Sequence, residues 1–183
     1  MAAYPRVEVR NSCDGRGVFA VDRIAAGQRI FEFGGAAVDR AAVVAQASAG
    51  GHDDFLQIGD DRFLGQSDTA DDFLNHSCSP NAWVQIRRGR VWLVALAAIA
   101  AGEEICFDYG LTQVGFPFRF VCGCGSAECR GTVGNYDEIA APVLERYRRC
   151  GAIPPHVARH LRIAPRRQRA AGLRAPSGAA TRR

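Results

Sequence analysis

Short stretches in which apolar and polar residues alternate, or in which apolar residues run together, dominate the N-terminal half of the chain. Three of them, separated by turn-forming Gly, Asn and Asp residues, span residues 7–10, 17–21 and 28–33. This pattern is typical of short β-strands. Runs at 55–64 and 82–96 enclose Gly-containing turns and predict β-hairpins. With a further strand at 104–108, the pattern predicts a mostly β, mainly antiparallel fold with few short helices.

Helical patterns are confined to three segments. Residues 38–48 are rich in Ala and Val and are followed by Gly50-Gly51, which predicts a helix with a defined end. Beyond residue 130 the character of the sequence changes, and residues 137–150 and 155–162 predict two more helices. Residues 164–183 contain mostly Arg, Ala, Pro and Gly with little to bury, so we expect a disordered tail.

Composition and charge narrow the class of protein. With 183 residues, 48% hydrophobic and 23% charged, the chain fits one ordinary globular domain. It contains no apolar run long enough for a membrane span and no signal-peptide pattern at its start, so we expect an intracellular protein.

Charge is distributed unevenly along the chain. All 23 basic residues are Arg; residues 1–141 carry 12 Arg and 18 acids, and residues 142–183 carry 11 Arg and one acid. An acidic body favours a basic protein partner through electrostatic steering. For the Arg-rich tail two interpretations stay open: contact with nucleic-acid phosphates, or a solvated tail that tunes solubility.

The seven cysteines indicate a metal site. An odd count without a secretion signal argues against a disulfide framework. Cys122, Cys124 and Cys129 lie within eight residues of a Gly-rich stretch and offer three thiolate ligands for zinc. The best candidate for a fourth ligand is Cys78, in the polar loop at 75–81.

Three other motifs are weaker taken singly. Asn75-His76 lies beside a Pro-bounded turn, where a structural histidine is the simpler interpretation. Tyr109 follows a strand and precedes Gly110, which can place its hydroxyl in a pocket. Gly15-Arg16-Gly17 precedes an apolar strand and lets the backbone approach a ligand closely. It is not a phosphate loop, since it lacks the Gly-Lys-Ser/Thr ending and no helix follows.

The order of these four motifs carries more information than any one of them. Gly-Arg-Gly-Val-Phe-Ala, Asn-His-Ser-Cys-Ser-Pro-Asn, Gly-Glu-Glu-Ile-Cys-Phe-Asp-Tyr-Gly and the cysteine cluster resemble, over residues 5–135, the SET-domain protein lysine methyltransferases with a post-SET zinc segment. The resemblance implies a SET β-fold with a pseudoknot near Tyr109, and the chain resembles a minimal, bacterial member of the family. It also implies four regions: a SET domain at 1–112, a post-SET zinc segment at 113–135, a helical extension at 136–163 and the tail at 164–183.

The resemblance also implies roles for individual residues. Contacts with S-adenosylmethionine are implied for Arg16, Gly17, Val18, Phe55, Asn75 and His76. Structural zinc would be held by Cys78, Cys122, Cys124 and Cys129. Tyr109 matches the catalytic tyrosine, and Phe107 matches the family's Phe/Tyr switch, where Phe leaves room for a second and third methyl group. Phe116 and Phe118 are candidates for the substrate channel. One departure stands out: Asp72 replaces an arginine that is common before the Asn-His pair. Two interpretations stay open for it: a different way of holding the loop, or a preference for a cationic substrate.

We therefore expect methyl transfer from S-adenosylmethionine to lysines of a basic, histone-like or ribosomal protein, with di- or trimethylation. The alternative is a non-catalytic, zinc-stabilised SET-like module that binds basic protein or nucleic acid. A cysteine nucleophile formed by Cys78 and His76 is a poorer hypothesis, because Cys78 serves better as a metal ligand.

Overall fold

The computed structural model describes residues 4–50 and 55–162. Its strands are β1 (Val7–Ser12), β2 (Gly15–Ala20), β3 (Arg29–Glu32), β4 (Ala37–Val38), β5 (Leu56–Gly59), β6 (Arg62–Leu64), β7 (Asn75–His76), β8 (Ala82–Arg87), β9 (Arg90–Ala95), β10 (Cys106–Phe107), β11 (Phe120–Val121) and β12 (Thr132–Val133). The helices are α1 (Arg40–Ser48), α2 (Ala141–Cys150) and α3 (Pro155–His160). The predicted mostly β architecture with few short helices is confirmed. The predicted disordered tail lies outside the described residues.

The hairpin of β8 and β9 forms the centre of the molecule. Arg88 and Gly89 between them both have positive φ, at 52° and 77°, which gives a turn whose twist matches that of the strands. β3 pairs antiparallel with β9, so the three-stranded sheet has the order β3-β9-β8. Ile30 and Leu93 are fully buried between this sheet and the N-terminal hairpin of β1 and β2.

A second small sheet carries α1. Its order is β4-β6-β5, and the two-residue β4 was not predicted, because its residues merge with the start of the predicted helix. Asp39 caps α1 by accepting the N–H of Ala42 at 2.8 Å, so the helix begins at Arg40 and not at residue 38. Gly50 follows the end of the helix with a φ of 73°.

The pairing of β7 with β10 is parallel, unlike that of the other paired strands in the described ranges. Asn75 lies opposite Cys106 and His76 opposite Phe107. The prediction of a mainly antiparallel fold therefore has one exception, formed by two strands of only two residues each. This exception brings the chain just before Tyr109 alongside the Asn75-His76 pair.

The C-terminal helices cover one face of the β3-β9-β8 sheet, and the N-terminal hairpin packs on the opposite face. Tyr147 of α2 is fully buried and packs in one apolar cluster with Trp83 and Trp92. α2 starts later than predicted, because residues Tyr136–Glu138 form a 3₁₀ turn before it. None of the helices in the described ranges is long and apolar enough to cross a membrane. The region boundaries at residues 112, 135 and 163 stay predictions.

Candidate active site and cysteine cluster

An aromatic cleft of about 400 Å³ opens between the small sheet that carries α1 and the segment after Tyr109. Tyr109 packs against Phe107 with ring centres 4.8 Å apart and against Phe120 with ring centres 6.0 Å apart. The predicted site residues that line this cleft are Phe55, His76, Phe107, Tyr109, Phe116 and Phe118. A cleft of this size with a mainly apolar lining suits a small organic ligand.

Tyr109 is held at both its backbone and its side chain. It begins a 3₁₀ turn directly after β10. Its backbone N–H donates to Nδ1 of His76 at 3.2 Å, and its hydroxyl donates to the carbonyl oxygen of Leu74. The parallel strand pair therefore sets the position of the phenol at the cleft.

Asn75 is oriented by two acceptors on opposite segments. Its Nδ2 donates to the carbonyl oxygen of Arg16 at 3.0 Å and to Oε1 of Glu104 at 2.7 Å. Both amide hydrogens are thus committed to the protein. Since no hydrogen bond to Oδ1 occurs within residues 4–50 and 55–162, this oxygen is available to accept one from a ligand cation.

A side chain at Gly17 would displace a neighbouring carboxylate. A Cβ built on Gly17 would lie 2.2 Å from Oε1 of Glu104, a distance that no real contact allows. The prediction that this turn lets the backbone approach a ligand closely is compatible with this contact and stays a prediction. Next to it, the guanidinium of Arg16 stacks on the ring of Phe73 at 3.9 Å, and Val18 is fully buried in the core. The side chain of Val18 therefore contacts core residues, and only its backbone could meet a ligand.

Four possible metal ligands converge beside the cleft. The ligand atoms of His76, Cys78, Cys122 and Cys124 all lie within 4.8 Å of one another. The sulfur atoms of Cys78 and Cys122 are 3.9 Å apart, close to the ~3.8 Å expected for two thiolates bound to one tetrahedral zinc ion. The residues present therefore fit zinc.

Cys129 lies beside this group, and His76 is a member that the sequence did not predict. The thiol of Cys129 is exposed and faces the carbonyl oxygen of Cys122 at 3.6 Å. Because Nδ1 of His76 accepts the N–H of Tyr109, the ring proton belongs on Nε2, which lies 3.2 Å from the sulfur of Cys78. His76 is then a hydrogen-bond donor to Cys78, and Cys129 as the fourth ligand stays a prediction.

Burial keeps the ring of His76 uncharged. Desolvation lowers the pKa of His76 to about 4, although the carboxylate of Asp108, 3.8 Å away, acts in the opposite direction. A neutral imidazole can accept at Nδ1 and donate at Nε2 at once. The ring therefore links the backbone of Tyr109 to the cysteine cluster at neutral pH.

Two acidic residues of the site were not predicted from the sequence. Glu104 holds Asn75 and accepts a hydrogen bond from the hydroxyl of Ser12 at 2.8 Å. Asp108 is buried immediately before Tyr109 and pairs with Arg130. The available signal was a lone acid between two aromatic residues at the end of an apolar strand, which marks a carboxylate that must find a partner.

Comparison with known proteins gives the family. The model of the family described as "SET domain" matches residues 15–110. The chain belongs to the SET-domain family. The matched residues of this SET domain run from the Arg16 turn to Tyr109 and end before Cys122, so they contain only the first of the predicted zinc ligands.

Several curated relatives of this SET domain are named as histone-lysine N-methyltransferases. One from Candida albicans, named H3 lysine-36 specific, is 28% identical over 179 residues, which cover 91% of this chain and 20% of the relative. One of the same name from Yarrowia lipolytica is 31% identical over 133 residues, covering 66% of this chain and 17% of the relative. The chain thus spans about a fifth of the length of these two proteins.

Solved structures support the fold. A chain of a humanized mutant of the Chaetomium thermophilum Polycomb Repressive Complex 2 matches with a TM-score of 0.56 and 23% identity. The match covers 63% of this chain and 16% of that chain. The SET fold expected from the order of the motifs is therefore confirmed.

The contact between Gly17 and Glu104 yields a test of the site's packing. We expect Gly17→Ala to lower the free energy of unfolding by about 1–3 kcal/mol, because the new methyl group displaces the carboxylate that holds Asn75. Glu104→Ala in the Gly17→Ala background removes the clash, so the second substitution should cost less there than in the wild-type protein. Urea denaturation of the four proteins measures this. Additive losses would show that the two residues do not meet.

Proposed function

We propose that this SET domain transfers methyl groups from S-adenosylmethionine to lysine side chains of a basic protein. The observation that carries the proposal is the position of Tyr109, on the wall of an aromatic cleft and bonded through its backbone to His76. The names of the relatives, histone-lysine N-methyltransferases, support the same activity.

The donor would lie between the Arg16 turn, Asn75 and Phe55. When bound, S-adenosylmethionine supplies an electrophilic methyl group on a positively charged sulfur. Oδ1 of Asn75 would accept a hydrogen bond from the donor's ammonium group, because Nδ2 is already committed to Arg16 and Glu104. Phe55 lines the cleft and would pack against the donor.

The acceptor lysine would enter the same cleft from the side of Phe116 and Phe118. A lysine must lose its proton before it can attack, and its ordinary pKa is about 10.4. Removal of the amine from water disfavours its ammonium form, so entry into the cleft would lower that pKa. The hydroxyl of Tyr109 would orient the neutral amine, and the rate would come mostly from positioning and electrostatics. The released proton would pass to solvent.

Charge supports a basic substrate. Asp14, Asp71 and Asp72 line the cleft against one arginine, Arg119, whose guanidinium already pairs with Glu138. Residues 1–141 also carry six more acids than Arg residues. The negative charge of the cleft and of residues 1–141 would attract histone-like or ribosomal proteins inside the cell, since both are rich in Lys and Arg.

Two alternatives are weaker. In a cysteine-nucleophile enzyme His76 would activate Cys78, but burial raises the pKa of the Cys78 thiol and stabilises the unreactive form. A non-catalytic binding module would retain the fold without binding the methyl donor. Titration with S-adenosylmethionine, followed calorimetrically, separates this module from the enzyme.

Replacing the phenol tests the reaction. We expect Tyr109→Phe to lower the rate of methyl transfer to mixed histones by about a hundredfold or more, because the hydroxyl that orients the amine is lost. Labelled donor and mass spectrometry of the products measure the transfer. Tyr4→Phe is the matched control, because it changes an exposed tyrosine that does not line the cleft. Equal rates for both variants would contradict the role of Tyr109.

Phe107 tests the extent of methylation. It lines the cleft 4.8 Å from the ring of Tyr109, and a phenylalanine there leaves space for added methyl groups. We expect dimethyl- and trimethyllysine from the wild-type protein and mainly monomethyllysine from Phe107→Tyr, whose extra hydroxyl crowds the amine. Product masses on one peptide decide this. Monomethyllysine from both proteins would contradict the prediction.

We also propose that the cysteine cluster holds a structural zinc ion through Cys78, Cys122, Cys124 and Cys129. The mutual distances of the first three support it, and four thiolates would leave no open position for a water. Cys78 follows His76 by two residues, so such an ion would tie the later cysteines to the cleft wall. It would stabilise the site and take no part in the transfer.

Zinc content tests the ligand set. We expect about one zinc per wild-type chain, loss of the metal in Cys122→Ser and Cys129→Ser, and retention in Cys13→Ser, whose thiol is exposed elsewhere. Metal analysis and the thiolate absorption of the cobalt-substituted protein measure this independently of activity. Zinc that persists in Cys129→Ser but is lost in His76→Gln would assign the fourth position to His76.

A further inference from the structure

Asp108 is a buried carboxylate with an unusual set of donors. Its side chain has 0% exposure, and it immediately precedes Tyr109. Arg130 donates to both of its oxygens, at 2.7 and 2.6 Å, and the hydroxyl of Tyr147 donates to Oδ2 at 3.0 Å. Both donors come from parts of the chain beyond the matched SET residues.

Each of these contacts offsets part of the cost of burying the carboxylate. A carboxylate out of water is costly unless it is paired and hydrogen-bonded. The bidentate bond to Arg130 supplies the charge, and Tyr147 supplies the additional donor on Oδ2. Tyr147 itself is fully buried on α2. Because bulk water does not reach its hydroxyl, the carboxylate of Asp108 serves as the hydrogen-bond acceptor for it.

Asp108 and Arg130 are each linked to the backbone of Tyr109 through His76. Asp108 precedes it in the chain and lies 3.8 Å from Nδ1 of His76, the atom that accepts the N–H of Tyr109. The backbone N–H of Arg130 lies 3.4 Å from the sulfur of Cys78, which in turn faces Nε2 of His76. A shift of Asp108 would therefore also displace the backbone of Tyr109.

We propose that Tyr147 is a positioning residue for the methyl transfer: its hydroxyl fixes Asp108, and thereby Tyr109, so that α2 belongs to the catalytic unit. The proposal rests on the proposed function for its catalytic part. Its structural part concerns only the link between α2 and the backbone of Tyr109.

The test removes one oxygen atom. In Tyr147→Phe we expect the N–H of Tyr109 to exchange with deuterium about tenfold faster, while amides of β8 and β9 keep their wild-type rates. We expect kcat to fall about threefold to tenfold, the effect of one lost buried hydrogen bond, with KM for peptide and Kd for the donor within about twofold. Tyr136→Phe is the matched control, since that ring faces His160 at 6.2 Å instead of Asp108.

A second variant tests whether Tyr147 acts through Asp108. Asp108→Asn keeps the size of the side chain and removes the charge, so it should also speed exchange at Tyr109. If Tyr147 acts through Asp108, the effects of the two substitutions on kcat are less than additive in the double variant. Additive effects, or unchanged exchange at Tyr109 in both single variants, would overturn the inference.

The exchange measurement separates the two proposals. A wild-type protein that shows no methyl transfer, together with fast exchange at Tyr109 in Tyr147→Phe, overturns the proposed function and the catalytic role of Tyr147 while confirming the structural link. If the wild-type protein is active and Tyr147→Phe changes neither the exchange at Tyr109 nor kcat, the inference about Tyr147 is overturned and the proposed function stands.

Discussion

The parallel pairing of β7 with β10 is the constraint on which the site depends. Asn75 lies opposite Cys106 and His76 opposite Phe107, so two motifs far apart in the chain become neighbours. Side chains alternate along a strand, and a slip of one residue would exchange the faces to which Asn75 and His76 point. That slip would take Asn75 away from Glu104 and His76 away from the cysteines. The register is therefore as important as any single side chain of the site.

Two strands of two residues each form few backbone hydrogen bonds, and a side chain supplies additional ones. Asn81 donates through Nδ2 to the carbonyl oxygen of Glu104 at 2.7 Å and to Oε1 of Glu103 at 2.9 Å, and its Oδ1 accepts the N–H of Cys106 at 3.0 Å. One amide thus satisfies backbone groups that a longer strand would pair. The spacing of the Asn-His-Ser-Cys-Ser-Pro-Asn motif follows from this, since its first residues form the strand and its last residue fastens the partner.

What could be predicted from the sequence is mainly what is local. The hairpin of β8 and β9 is specified by its own turn, and the close spacing of Cys122 and Cys124 predicts a candidate metal-binding segment without knowledge of the fold. The contacts of Asn81 with residues 103–106 and of Tyr147 with Asp108 join segments that are distant in sequence, and no spacing encodes them. The parallel pairing of β7 with β10 was not predicted, because alternation alone cannot distinguish parallel from antiparallel partners for two-residue strands.

The family match ends at residue 110, but the physical unit extends further. Breaking a buried ion pair by removing one partner costs about 3–5 kcal/mol, a large part of the ~5–15 kcal/mol by which a domain is stable. Asp108 lies inside the matched residues, and both of its donors lie outside them. The hydrogen bonds and charge of this carboxylate raise the pKa of Arg130, because they stabilise its charged form. The segment with the cysteines and the helix with Tyr147 thus both stabilise the buried charge beside Tyr109.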